Sequence, residues 1–256
     1  MKKIGLVLSG GGARGMAHLG ALKALENFDI RPDVISGVSA GGMVGGFYAA
    51  GYSPIDILDI MKDANLFSIF SLKFYQGIFS MNAFEKIYLR HIPHNSFEGL
   101  DIPLYVAATD ILKGKTVYFS SGELAKALMA TSCVPVAFEP VRYQDMELYD
   151  GGILNNLPVE PLEGNCDVLI GIHVNSIDTT VSHIHTKDLV DRSFHLSLSH
   201  SIRDKEPKFD LFIEPPSMSR FGMFDLDSAD QIFSAGYEYV MSMADQIEDL
   251  QKLLYY

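Results

Sequence analysis

The sequence predicts an α/β fold, with a largely parallel central sheet between helices in three α/β/α layers. Three observations predict it. Short apolar runs of strand length alternate with helical segments along the whole chain. Several of those runs carry no polar alternate, as strands buried on both faces do. No linker, charge block or repeat breaks the alternation, so residues 1–256 read as one domain.

Ile4 to Leu8 is the first buried strand, followed by the glycine-rich turn Ser9 to Gly15. Ala17 to Leu25 carries a helical stripe that Phe28, Ile30 and Pro32 close. Val34-Ile35 before Gly37 is a second short strand. Residues 40–51 are small and apolar with almost no polar face, so burial must stabilise a helix there against its glycines. Ser53-Pro54 starts another helix, and Met81 to Leu89 a further one, with Asn82 as N-cap and Glu85 three residues on. Between them Leu66 to Phe79 is rich in Phe, Leu, Ile and Tyr without a clean period. It has three readings: an acyl pocket, a cover over one, or ordinary core.

Leu104 to Thr109 and Lys115 to Ser120 read as strands, and Leu124 to Met129 as a short helix. Val141 to Tyr149 reads as a turn and then a strand ending at Asp150. Val168 to Val174 is another strand, while Phe194 to Ile202 fits no template. Phe209 to Glu214 is a late strand stopped by Pro215-Pro216. Asp227 to Leu254 is the longest helical segment, with Ile232, Ala235, Tyr239, Met243 and Ile247 near one stripe and Gly236 as its weak point.

Composition narrows the function. Asp and Glu outnumber Lys and Arg by 32 to 20, a net charge of -12, which argues against a nucleic-acid partner. The 48% hydrophobic content is too high for a disordered chain. Cys133 and Cys166 form no CxxC and sit in apolar runs, so both read as buried small hydrophobes. The apolar N-terminal run ends at Gly10, too early for a signal core, and no apolar stretch reaches the ~18 residues of a spanning helix. A soluble, cytoplasmic protein is expected.

Gly10-Gly11-Gly12-Ala13-Arg14-Gly15 satisfies G-x-G-x-x-G between a strand and a helix. A dinucleotide fold also wants an acid at the end of the second strand, and Asp33 instead precedes Val34-Ile35. A P-loop fails because no Gly-Lys-[Ser/Thr] follows. What remains is general: bare backbone N–H groups at a helix start favour a negative atom, either a phosphate or the oxyanion of a tetrahedral intermediate. Arg14 adds charge there, or is an ordinary surface Arg.

Gly37-Val38-Ser39-Ala40-Gly41 matches G-x-S-x-G between a short strand and a helix-like segment, the context of a nucleophile elbow. Both turns would open at the carboxyl edge of adjacent strands, where such sheets bind ligands. Ser39 is therefore the candidate nucleophile, and it needs a base. The order Ser, acid, His is available in Asp150 followed by His173, His183, His185, His195 and His200. Yet a triad hydrolase places several strands before its serine, and only one strand–helix unit precedes Ser39. Asp150-Gly151-Gly152 stands at a strand end with room for close approach. A buried carboxylate there could take the serine proton itself, or could simply cap a turn. His18 reads as a packed histidine, His173 as core, and His183-Ile184-His185 lacks a third metal ligand.

Taken together, Gly10 to Gly15, Gly37 to Gly41 and Asp150-Gly151-Gly152 resemble the patatin-like phospholipase family in its compact bacterial form. The flanks Ala130 to Phe138 and Asn155-Asn156-Leu157-Pro158 match as well. The likeness is close over residues 4–160 and looser beyond, through the late strand and long helix of 209–254. It implies a mixed central sheet between helices and lipid ester hydrolysis by a Ser39–Asp150 dyad, with no metal or cofactor. It puts Gly10, Gly11 and Gly12 in the oxyanion loop, with Arg14, Gly15, Gly37, Gly41, Gly151 and Gly152 in support. The implied partner is a lipid or short-chain ester. Any transient contact with a membrane surface would be apolar, because the charge of -12 opposes anionic lipid.

Overall fold

The computed structural model describes residues 2–63, 81–178, 202–223 and 227–255, together with positions 189, 192, 196 and 225. The expectations for Leu66 to Phe79, for His183, His185 and His195, and for most of 194–202 lie outside the described residues.

The expected mixed sheet with flanking helices is present. Eight strands form it: β1 Ile4–Leu8, β2 Val34–Val38, β3 Leu104–Asp110, β4 Lys115–Phe119, β5 Val141–Tyr143, β6 Met146–Asp150, β7 Val168–Ile172 and β8 Leu211–Ile213. Their order is β5-β6-β3-β2-β1-β7-β8, with β4 paired to β3. The run β3-β2-β1-β7-β8 is parallel, and β4, β5 and β6 join by antiparallel pairing.

Alternation along β1 divides the core. Leu6 and Leu8 enter the larger apolar cluster, with residues of helices α1 Met16–Asn27, α2 Ala40–Ala49, α3 Pro54–Asp63, α4 Asn82–His91, α5 Leu124–Thr131, α6 Ala229–Met241 and α7 Ala244–Tyr255. Val7 enters a smaller cluster with Val34, Leu157, Val159, Leu162, Leu169 and Ile202. Both faces of β1 are therefore dry, which is why its sequence is uninterrupted by polar residues.

Local sequence accounts for several ends. Ser53 and Asp56 form a reciprocal cap at the start of α3: Asp56 N–H donates to Ser53 Oγ at 3.2 Å and Ser53 N–H to Asp56 Oδ2 at 3.2 Å. Pro54 occupies the first helical position, where its missing N–H costs nothing.

Five expectations need correction. Asn82 is the first residue of α4, and Met81 is its cap. Val141–Asp150 is a hairpin, turned at Gln144 with φ 55°, in place of a turn and one strand. The segment 227–254 is two helices, and the break is not at Gly236. Ser242 Oγ donates to Tyr239 O at 2.6 Å, and Met243 N–H reaches back only to Val240 O, which tightens and ends α6. Gly236 lies inside α6, where a Cβ would stand 2.3 Å from Ala17 O, so it serves the close crossing of α6 over α1. Cys166 is half-buried; Cys133 is buried as expected. The fifth concerns His173, which is buried but polar in its contacts: Nδ1 lies 2.8 Å from Glu214 Oε1.

One detail of topology builds the site. β4 covers one edge of β3 along Val106 to Asp110. β2 and β6 must then share the other edge, β2 along Leu104 to Ala107 and β6 along Ala108 to Asp110. They run in opposite directions, so their last residues, Val38 and Asp150, meet beside Ala107 and Ala108.

Candidate active site

Ser39 follows β2 directly and starts α2. Its φ of 51° and ψ of -125° are strained for a non-glycine residue. The surroundings hold that strain. Ser39 N–H donates to Thr131 Oγ1 at 2.8 Å, and Thr131 Oγ1 donates to Ala107 O at 2.5 Å. Gly41 presses against β1 so closely that a Cβ would stand 2.5 Å from both Leu8 O and Ser9 O. Gly37 faces Gly41 across the elbow, its own Cβ position 2.6 Å from Gly41 O. Only glycine fits either position, so the elbow motif here records close packing of strand and helix.

The glycine-rich turn leaves β1, the neighbour of β2, at the same sheet edge. Gly10 lies against Ser39: a Cβ on it would stand 3.2 Å from Ser39 Cβ. Gly15 packs on Ala40, next to Ser39. Gly12 has φ +57° and lies against Met223 O, which also accepts from Ala13 N–H at 2.8 Å. Gly11 sits over Val174. Among the described residues, no acceptor is hydrogen-bonded to the N–H of Gly10, Gly11 or Gly12. Arg14 is not a surface residue. It is 7% exposed, and its Nε donates to Phe221 O at 2.8 Å, so the C-terminal segment anchors the turn.

Asp150 ends β6 and is buried beside Ser39. Its carboxylate lies near the Ser39 side chain and, through Oδ1, accepts from Gly152 N–H at 2.8 Å. Burial pushes its pKa up to about 6, and the nearby Ser39 hydroxyl and Gly152 N–H hold it from rising further. Asp150 N–H donates to Cys133 O at 2.8 Å, and Asp150 O accepts from Thr109 Oγ1 at 3.0 Å, so its backbone is fixed on both sides. Gly151 fits under Ala107 O, where a Cβ would be 2.4 Å away. Gly152 abuts Asn156 Oδ1.

The histidines near the turns do not reach Ser39. His18 is fully buried in α1, and its Nε2 donates to Ser9 O at 2.8 Å. Burial pushes its pKa down to about 4, so the ring is neutral at pH 7. Asp33 sits at the other end of the sheet, accepting from Ile4 N–H at 2.7 Å through Oδ2, away from the glycine turn. Asp33 is therefore not placed to meet a ribose at that turn. Among the described residues no group of three or more His, Cys, Asp or Glu is placed to hold a metal ion, and no helix is long and apolar enough to cross a membrane.

Three more residues shape the site. Thr131 and Asn156 fall within stretches that sequence reading marks only as flanks. Asn175 has one signal in the sequence, a polar residue just past an apolar strand, at the edge where both turns open. Its Nδ2 donates to Gly10 O at 2.6 Å.

Comparison with known proteins places the chain among relatives. The lysophospholipase nte1 of Aspergillus fumigatus is 25% identical over a gapped alignment of 284 positions that covers 96% of this chain and 18% of that protein. The corresponding protein of Cryptococcus neoformans is 32% identical over a gapped alignment of 196 positions that covers 70% of this chain and 12% of its own length. This chain thus spans less than a fifth of either relative. Two solved structures share the fold at 17% identity. VipD from Legionella pneumophila has a TM-score of 0.57, with 96% of this chain and 67% of that chain covered. The ExoU–SpcU complex of the Pseudomonas aeruginosa type III secretion system has a TM-score of 0.53, with 96% and 52% covered. The family described as patatin-like phospholipase matches residues 6–163, more than half of the sequence, and the chain belongs to that family.

Proposed function

We propose that this protein is a serine acyl hydrolase that cleaves lipid carboxylic esters through Ser39 and Asp150. The observation that carries the reading is the buried Asp150 carboxylate beside Ser39, where β6 meets β2, with burial raising its pKa to about 6. A base of that strength is ionised at pH 7 yet basic enough to accept a serine proton in a transition state. Membership of the patatin-like phospholipase family and the lysophospholipase names of the relatives favour a lipid ester as substrate.

In the first step Ser39 Oγ attacks the ester carbonyl carbon and Asp150 accepts its proton. The carbonyl oxygen becomes an oxyanion, held by N–H groups of Gly10 to Gly12. Loss of one such donor costs about 3–4 kcal/mol in the barrier. The intermediate then expels the alcohol, which takes the proton from Asp150, and leaves acyl-Ser39. In the second step Asp150 takes a proton from water as its oxygen attacks the acyl carbon. Collapse returns that proton to Ser39 Oγ and releases the fatty acid.

The reading treats the chain as one functional unit in the cytoplasm. The hydrogen bonds from Arg14 and Ala13 to Phe221 O and Met223 O support the first point, since C-terminal residues hold the turn. Hydrolysis of p-nitrophenyl esters by Ser39→Ala and Asp150→Asn tests the proposal. Both should lose nearly all activity. Near-full activity in Asp150→Asn contradicts the dyad, and a larger loss in His18→Ala than in Asp150→Asn would point to histidine-based catalysis.

A further inference from the structure

We infer that His18 and Asn175 are positioning residues that aim the N–H groups of the glycine-rich turn at the substrate oxyanion. The inference rests on the hydrolase reading above and extends it to residues outside the reacting atoms.

A trans peptide holds its C=O and N–H antiparallel in one plane, so fixing one fixes the other. The described residues contain no cis peptide. The peptide joining Ser9 to Gly10 carries Ser9 O and Gly10 N–H. Ser9 O accepts from His18 Nε2 at 2.8 Å, which turns Gly10 N–H away from His18. The next peptide carries Gly10 O and Gly11 N–H. Gly10 O accepts from Asn175 Nδ2 at 2.6 Å and from Ser9 Oγ at 3.0 Å, which turns Gly11 N–H the opposite way. Ser9 Oγ is itself held, accepting from Val174 N–H at 3.1 Å. The third peptide needs no outside help, because Gly11 O accepts from Arg14 N–H within the turn at 3.2 Å.

The anchors are needed because of the sequence they hold. Three consecutive glycines have no Cβ to oppose rotation of the peptides between them. Left alone, each plane could turn a carbonyl toward the site, and a carbonyl there repels an oxyanion. The anchors are also poorly explained as stabilisers. Asn175 is 3% exposed and His18 0%, yet Asn175 Oδ1 and His18 Nδ1 have no hydrogen-bond partner among the described residues. Leaving a buried polar atom unpaired costs stability. Each side chain is thus kept for the single donor that meets the turn. Ser9 O can only accept, so it selects the tautomer with the proton on Nε2, and burial keeps the ring neutral across the working pH range. Asn175 lies beyond the residues 6–163 matched by the family, on the segment that follows β7.

The test uses the full chain, p-nitrophenyl butyrate and a fluorophosphonate, which also forms a tetrahedral centre at the serine. His18→Leu and Asn175→Leu remove the donors, and His18→Gln keeps one. The inference predicts that each Leu variant loses roughly tenfold to a hundredfold in kcat, at or below the loss of a whole oxyanion donor, with KM within about twofold. Fluorophosphonate labelling should slow by the same factor, and His18→Gln should recover most of both. Unchanged kcat in either Leu variant, or a loss confined to KM, overturns the inference. Should His18→Leu fail to fold, Asn175→Leu and the near-normal kcat of His18→Gln carry the decision; a His18→Gln kcat as low as that of Asn175→Leu then overturns it. Wild-type protein that neither hydrolyses the ester nor takes up the label would contradict the hydrolase reading itself, before any variant is compared.

Discussion

The parallel and antiparallel halves of the sheet build the site by different means. In the parallel half, β1 and β2 are buried throughout, and both functional turns leave them at one edge. There the proposed chemistry rests on backbone: strained Ser39 and bare N–H groups, held by glycines that let α2 press onto β1. In the antiparallel half, β4 is partly exposed along its length, and β6 alternates, with Leu148 buried and Met146, Glu147 and Tyr149 half-buried, before it reaches Asp150. There the proposed base is one side chain, Asp150, whose pKa is raised by burial at the point where β6 meets β2. The first half needs close packing to exist at all, whereas the second needs only its tip to be dry.

Breaking the packing should have the largest effect. In Gly41→Ala the new Cβ meets two backbone carbonyls of the β1 edge, and neither can swing away as a side chain would. The expected cost is about 3 kcal/mol or more, with the elbow displaced and activity lost. Urea denaturation of this variant, followed by tryptophan-free probes such as far-UV circular dichroism, measures it. Wild-type stability would mean that the helix can move off the strand.

Asp150→Asn sharpens the contrast because activity and stability should move in opposite directions. The folded-state pKa lies above the ordinary carboxylate value, so the native state holds its proton more tightly than the unfolded state. Stability therefore falls as pH rises through the carboxylate range to about 6, and above that the buried charge costs about 3 kcal/mol. Asn removes that cost while keeping an oxygen for Gly152 N–H. Thermal unfolding at pH 8 should show the variant several degrees more stable than wild type, with the gap closing as pH falls below about 6. In the wild type, kcat/KM should rise with pH and level off above about 6, as the base ionises. A variant less stable at pH 8 would show that Asp150 is held by more favourable contacts than burial allows.

The smallest effect belongs to the exposed end of the antiparallel half. Gly114, in the β3–β4 turn, has φ +59° and open space around it. Gly114→Ala should cost about 1 kcal/mol of backbone strain and leave kcat unchanged. A fall in kcat would show that this half transmits strain to Asp150.

The same contrast decides what the sequence makes legible. The turn and the elbow are readable because local rules force them: glycine at fixed spacing, between a buried run and a helical stripe. The meeting of Ser39 with Asp150 is not, because it depends on β2 and β6 sharing one edge of β3, a pairing between residues far apart in the chain. Family resemblance supplied Asp150 where spacing left base and turn cap equal. Gly236 misled for a related reason: helix propensity marked it as a break, while packing on Ala17 uses it as a contact, and Ser242 ends the helix instead. His18 was legible as buried, but its use was not, since the carbonyl it holds is fixed by tertiary contact.

Intact mass measured after fluorophosphonate treatment, for wild type, Ser39→Ala and Asp150→Asn, tests the central claim most directly. The account predicts one adduct on wild type, none on Ser39→Ala, and labelling slowed by about a hundredfold or more on Asp150→Asn. An adduct that persists in Ser39→Ala, or labelling of Asp150→Asn at the wild-type rate, would contradict it.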